Sequence, residues 1–440
     1  MPTLRAGAAR ADITPPVGCV LIGFSQRRAT GVHDALHVKA LVLDNETTPL
    51  ALAVCDVLTF GFDIVARARE QIRAQTGIPP ENVMLTTTHT HSGPLTAPCR
   101  LYDEQDTGYV ESLIGKIADT VTAAWNSRRD AKLGFATEPV QIGINRRELT
   151  PDRGMILGRN PDGPADRDVD VLRIDGSDAQ PIAVLFSHAA HPVVLGPKNL
   201  EISADFPGCA TAAIEQALGP NTIAIFAQGC CGNINAQWLA RGFPEAEQLG
   251  RTLGNAALKA AASATLATHP CLSARSRIIA LPLAVPTVTE AQQRLRRETD
   301  ALAAAKTAGE PHKLRRAEAN LAWAQDQLAA TKAGTPRTIP YELQVLGIDR
   351  TAVVGLPGEV FVEIGTNIAD HATADHTIVL GYANEDIGFA GYVPTAEAFE
   401  QGGYEPNAYR YSYRPFPLDP GCASLIEQEA VKLVAQTLKS

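Results

Sequence analysis

Apolar runs of strand length alternate with amphipathic runs of helix length through the first part of the chain, and this alternation constrains the fold more than any other feature. Residues 36–43 alternate in the manner of a strand, and 51–57 form an apolar strand that ends near Asp56. The stretch 62–76 then places Ile64, Ala68 and Ile72 four apart, and 109–128 places Val110, Ile114, Ile117 and Val121 on one helical face. A helix with one apolar stripe between strands buries that stripe on a sheet, so an α/β layer fold is expected. Further strands are expected at 132–146, 169–175, 182–186, 222–226, 343–348 and 352–356, with helices at 210–217, 361–370 and 423–438.

Between the first two helices lies Val83-Met84-Leu85-Thr86-Thr87-Thr88-His89-Thr90-His91-Ser92-Gly93-Pro94. Residues two apart in a strand face the same way, so alternation carried past Thr87 brings His89 and His91 out together just before Gly93-Pro94 ends the strand. Two such imidazoles can share a divalent metal, or one can bind it while the other moves protons. A second histidine-bearing stretch, Ser187-His188-Ala189-Ala190-His191-Pro192, follows the 182–186 strand, and either of its histidines could be a ligand. The turn Pro357-Gly358-Glu359 puts a carboxylate between a strand and a helix, a favoured place for a ligand or general base. Asp56 and Asp205 read equally as partners that orient a histidine and as satisfied strand-end carboxylates. His33, His37, His269, His312, His371 and His376 read as structural or surface residues.

Bulk properties exclude several function classes. A net charge of −9 without a basic block argues against nucleic acid and anionic membrane surfaces as partners. No apolar run approaches the roughly 20 residues that span a bilayer, so no stable membrane insertion is expected. The start of the chain lacks the apolar core of a signal peptide, and the eight cysteines show no CxxC spacing, so a reducing, cytoplasmic setting is expected.

Residues 287–334 differ in kind. Val288, Leu295 and Leu302 are seven apart, as are Leu314, Leu321 and Leu328, with Gly309-Glu310-Pro311 between the sets. An antiparallel helical hairpin is expected, protruding from the domain or serving as a contact between copies in a homo-oligomer.

The order Asp12-Ile13-Thr14-Pro15-Pro16, His89-Thr90-His91-Ser92-Gly93-Pro94, His191-Pro192, Pro357-Gly358-Glu359 and the Tyr392 and Tyr404 segment resembles the catalytic domain of the neutral (alkaline, non-lysosomal) ceramidases. The resemblance implies central mixed β-sheets flanked by helices, with residues 1–440 as one catalytic domain and 287–334 inserted in it. It implies hydrolysis of an N-acyl amide bond through a zinc-activated water, acting on a small-molecule substrate. Carried over residue by residue, it makes His89, His191, Glu359 and Tyr392 the Zn2+ ligands. It makes His91, Arg146 and Tyr404 the residues that act on the substrate, and it favours His191 over His188 because of the His-Pro step. The chain departs from the family where a proposed nucleophilic serine is replaced in Gly232-Asn233-Ile234-Asn235-Ala236, and no C-terminal accessory domain is expected. Cys230 and Cys231 offer thiols there, with no histidine placed beside them by the sequence.

Two rivals accompany the amidase reading. One is a zinc hydrolase of the same fold acting on an ester, lactone or glycosidic bond. The other is an inactive relative that binds partners through its hairpin. Asp103, Glu104 and Asp106, after the first histidine pair, suggest a watery entrance and a small soluble amide in place of a membrane lipid.

Overall fold

The computed structural model describes residues 3–61, 63–102, 105–385 and 391–439, and the counts below refer to these residues. An eight-stranded mixed sheet runs Ile223–Gln228, Pro181–His188, Asp168–Gly176, Arg129–Pro139, Arg5–Asp12, His37–Asp44, Leu50–Cys55, Val83–Thr87 from one edge to the other. Its outermost pairs are parallel at both edges, and its interior pairs are antiparallel. Helices Ile64–Thr76 and Thr107–Asn126 cover one part of it, and Asp205–Leu218 with Phe243–Ser263 cover another. The second sheet runs Leu272–Pro282, Thr338–Ile348, Thr351–Gly355, His376–Leu380, backed by Val362–His371 and Cys422–Thr437. A continuous apolar layer that includes Leu41, Leu52, Leu346 and Val353 joins the two sheets.

Most expected elements are present with ends displaced by a few residues, as fraying and capping dictate. The expected helix at 62–76 begins at Ile64; Phe62 lies outside the described residues. The expected single strand over 132–146 is two strands in different sheets, Arg129–Pro139 and Gly143–Thr150. Helix Phe243–Ser263 and strand Leu272–Pro282 are additions to the sequence reading.

The expected hairpin is built from Val288–Ala308 and Pro311–Ala333, but the heptad leucines are not its core. Val288 is 41% exposed, and the buried side chains are Ala291, Ala317, Ala319, Trp323, Ala324 and Gln327. Trp323 explains the difference: it packs on Tyr409 and donates its indole N–H to Pro415 O at 3.1 Å, so the hairpin is zipped onto its own chain. One large aromatic buries more surface there than any single leucine of the repeat could.

Candidate metal centre

The stretch that carries the first two histidines leaves the sheet at Thr87, where strand Val83–Thr87 ends. His89 has φ 64°, in the left-handed region, so the strand alternation expected to bring His89 and His91 together does not continue. The turn brings them together instead, with His91 Nε2 3.3 Å from His89 Nε2. His191 follows strand Pro181–His188 and is held by its own N–H to Ile234 O at 3.0 Å. His188 stays out of the group, its Nδ1 on Asp168 O at 2.8 Å.

Gln228, fully buried at the end of the neighbouring strand, ties the two histidine loops together. Its side-chain amide donates to Thr88 O at 3.2 Å and Ala190 O at 2.9 Å, one residue before each of His89 and His191. Gln228→Leu removes both bonds at nearly constant volume. It should weaken metal affinity by about 10- to 100-fold, measured by competition with a chelating dye, with the fold retained by circular dichroism.

Glu359 arrives from the second sheet. Gly358 has φ 88°, which makes the Pro-Gly-Glu turn possible, and Gly232 has no room for a side chain, since a Cβ there would lie 2.3 Å from Glu359 O. Glu359 pairs in parallel with Tyr392, which explains how residues 33 apart in sequence enter one site. Glu359 Oε2 is 3.0 Å from His191 Nε2 and 3.5 Å from His89 Nε2. The Tyr392 hydroxyl bonds this carboxylate and accepts a hydrogen bond from Arg146 Nη2 at 2.9 Å.

The donor set fits a cation. His89 Nδ1 donates to Leu58 O at 2.7 Å, and His191 Nδ1 donates to Cys231 O at 2.7 Å. Each bond puts the ring proton on Nδ1 and leaves Nε2 as an acceptor, the usual arrangement of a metal-ligating histidine. Both Nε2 atoms face the Glu359 carboxylate, and positive charge stabilises such a grouping; Arg146 Nη1 supplies part of it by donating to His191 Nε2 at 3.3 Å. Burial and the neighbouring Arg146 lower His191 to about 4, so it is neutral at pH 7. Burial opposes charge on Glu359, and only positive charge beside it, on His89 and His191 or on a cation they would hold, keeps it well below the usual carboxylate range. The ring nitrogens of His89, His91 and His191 are close enough for all three to approach one ion. Only His91 lacks the fixing bond, because its buried Nδ1 has no hydrogen-bond partner. Burial, His89 and His191 push its pKa well down, so it too is neutral.

Arg146 spans the site. Nε donates to Glu405 at 3.0 Å, Nη1 to Asn235 Oδ1 at 3.2 Å, and the guanidinium passes 3.3 Å from His191 Nε2. Tyr404 stands against Tyr392 with ring centroids 5.7 Å apart. A cavity of about 1220 Å3 is lined by His89, His91, Arg146, Glu359, Tyr392 and Tyr404. Six of the seven residues singled out in the sequence thus share one surface, and His191 is buried against it. Asn235 lines the same cavity, with Ile22, Phe24, Leu101, Leu157 and Leu239 contributing apolar surface.

Several sequence readings change here. Asp56 accepts from His37 N and Asp205 from Phe206 N and Leu195 N, so both satisfy backbone groups and neither orients a metal-site histidine. From the loop read as a watery entrance, Pro98, Leu101 and Tyr102 line the cavity; Asp103 and Glu104 lie outside the described residues. Asp106 instead caps helix Thr107–Asn126 by accepting from Tyr109 N. Glu405, Gln228 and Tyr382, whose ring stacks on His89 at 4.2 Å, were missed, because a lone Glu, Gln or Tyr carries no local pattern.

A family model for the neutral/alkaline non-lysosomal ceramidase N-terminal region matches residues 4–243. The chain belongs to the neutral ceramidase family. It is 26% identical over 266 residues to the neutral ceramidase of Mycobacterium tuberculosis, covering 53% of this chain and 40% of that protein. The chain therefore aligns with less than half the length of this relative. The crystal structure of neutral ceramidase from Pseudomonas aeruginosa shares its fold, with a TM-score of 0.74 and 19% identity over 99% of this chain and 75% of that one. A ceramidase complexed with C2 gives a TM-score of 0.76 at the same identity and coverage. The mixed α/β architecture is that of the family. Among the described residues of this ceramidase-family chain, no helix is long and apolar enough to cross a membrane.

Proposed function

We propose that the chain is a zinc-dependent amidohydrolase that cleaves an N-acyl bond, with one catalytic unit spanning residues 1–440. His89, His191, Glu359 and Tyr392 hold the ion in this reading, and His91, Arg146 and Tyr404 face the substrate. The observation that carries it is the convergence of the Nε2 atoms of His89 and His191, each ring oriented by a backbone carbonyl at Nδ1, on the Glu359 carboxylate beside a large cavity. Held by these residues, a zinc ion would supply a water acidified toward a pKa of about 7 and would polarise the scissile carbonyl.

The surrounding side chains divide the remaining work. His91 Nε2 is occupied by His89 Nε2 at 3.3 Å, but its buried Nδ1 has no partner and is the position that can take a proton and pass it to the leaving amine. Arg146 and Tyr404 offer donors to a developing oxyanion, and Glu405 fixes the Arg146 plane. No side chain is suited to attack the acyl carbon. Asn235 has no nucleophilic oxygen, and burial pushes the Cys230 and Cys231 thiols well up.

The cavity bears on the substrate. Its volume of about 1220 Å3 exceeds the usual range for drug-sized ligands, and Leu157 and Leu239 on its lining are 50% and 47% exposed. These features favour an N-acyl compound with an extended apolar part over the small polar amide expected from the sequence.

The test is hydrolysis of N-acyl amines, matched esters and lactones by the zinc-loaded protein, with intact-mass analysis during turnover. The amides should have the highest kcat/KM, and no covalent acyl adduct should accumulate. An ester or lactone preferred over every amide moves the chain to the other hydrolase class. An acyl adduct on Cys230 or Cys231 overturns attack by water.

A further inference from the structure

The helical hairpin, read from the sequence as a protrusion or a contact between copies, borders the cavity. The first turns of helix Pro311–Ala333 contribute Pro311, Leu314, Arg315 and Arg316 to its lining. The placement is fixed from several directions. Arg315 Nε donates to Leu101 O at 2.5 Å, and the Arg316 guanidinium lies over the Tyr411 ring at 5.6 Å. Arg100 pairs with Asp326 while its own N–H and Nε reach Tyr411 O and Ser412 O. Farther along, Gln327 and Trp323 both donate to Pro415 O. Two segments that line the cavity, 97–102 and 404–412, are thereby clamped to the hairpin.

These bonds also determine what the helix offers a substrate. The guanidinium of Arg315 is engaged on a carbonyl and that of Arg316 on an aromatic face. Leu314, half-buried and next before them in sequence, and the alkyl stems of both arginines remain to cover the cavity. His312 and Glu318 line it too, but both are exposed and form its wet rim.

We propose that Leu314 and its helix form the wall that sets how large an apolar group the enzyme accepts, so that the hairpin is a specificity element of the active site. This rests on the amidohydrolase reading for its catalytic consequence, but not for the existence of the wall. The expectation has a physical basis: filling an apolar pocket costs the group that must occupy it and spares one that does not reach it.

The test uses the zinc-loaded full chain. Leu314→Trp should lower kcat/KM for a dodecanoyl amine at least about tenfold and leave an acetyl amine within about threefold. Leu314→Ala, which adds no bulk, should instead reduce the preference for dodecanoyl over acetyl. A dansyl-labelled fatty acid, titrated by fluorescence, reads the wall without any turnover. L314W should weaken its binding at least about tenfold, and Ala304→Trp, on an exposed position of the first hairpin helix, should leave it unchanged. Equal loss for both amines, or equal dye binding by wild type and L314W, overturns the proposal, as does failure of the wild type to bind the dye. If no N-acyl amine is hydrolysed but dye binding still falls in L314W alone, the wall stands and the amidase reading fails.

Discussion

Replacing His191 with alanine is expected to release the metal and to lower kcat/KM by at least about a thousandfold. The imidazole is fully buried and its Nδ1 is bonded to Cys231 O. The loss leaves Glu359 without the partner 3.0 Å away. Metal content by plasma mass spectrometry after dialysis should fall well below one ion per chain, while His188→Ala should keep full occupancy. That contrast matters because the two histidines are three apart in sequence and only one reaches the site. Stoichiometric metal in H191A, or loss of metal in H188A, would show the ligand assignment to be wrong. A drop in activity with metal retained would assign His191 a role other than ligation.

Replacing Glu405 with glutamine should cost about 3–5 kcal/mol of stability, the range for removing one partner of a buried charge pair. Glu405 is 2% exposed and accepts from both Arg146 Nε at 3.0 Å and Arg147 Nη1 at 2.7 Å. Arg146 and Arg147 are themselves 5% and 6% exposed, so the amide leaves two guanidinium charges buried without their carboxylate. Denaturant unfolding of E405Q, R147Q and the double variant measures this. The double variant should be less destabilised than the sum of the two singles, because the second change removes one of the charges that the first left unpaired. A cost below about 1 kcal/mol for E405Q would mean that water reaches the pair and screens it. Activity should fall as well, since Arg146 would lose the bond that fixes its plane beside Tyr392.

The site also shows how a family scaffold is held together by residues with no motif of their own. Gln228 bonds both histidine loops, and Asn384 joins the sheets, donating its N–H to Leu85 O at 2.7 Å while its Oδ1 accepts from Leu85 N at 3.0 Å. Polar side chains can bridge like this only when fully enclosed, where water no longer competes for their hydrogen bonds.

Local periodicity was enough to read the α/β class, because helix and strand repeats follow from backbone geometry and a single buried face. It failed where the face was not simple. The strand over 132–146 is divided between two sheets, and Phe243–Ser263 buries alanines and glycines that give little apolar signal. His89, His91 and Glu359 stood out because their neighbours, His-Thr-His-Ser-Gly-Pro and Pro-Gly-Glu, carry turn chemistry that depends on adjacent residues, whereas Tyr392 came only with the family resemblance. The reason first given for the histidine pair was nevertheless wrong. Alternation stops at Thr87, and it is the left-handed turn at His89 that joins the rings.

What the sequence by itself determined is the set of residue types available for the chemistry and the elements that carry most of them. The His-Pro step had favoured His191 over His188, but only the tertiary structure decided which ring meets His89 and Glu359, that Glu405 is the counter-ion of Arg146, and that the hairpin lines the cavity. Each of these depends on the packing of segments tens to hundreds of residues apart, through bonds that no local pattern encodes.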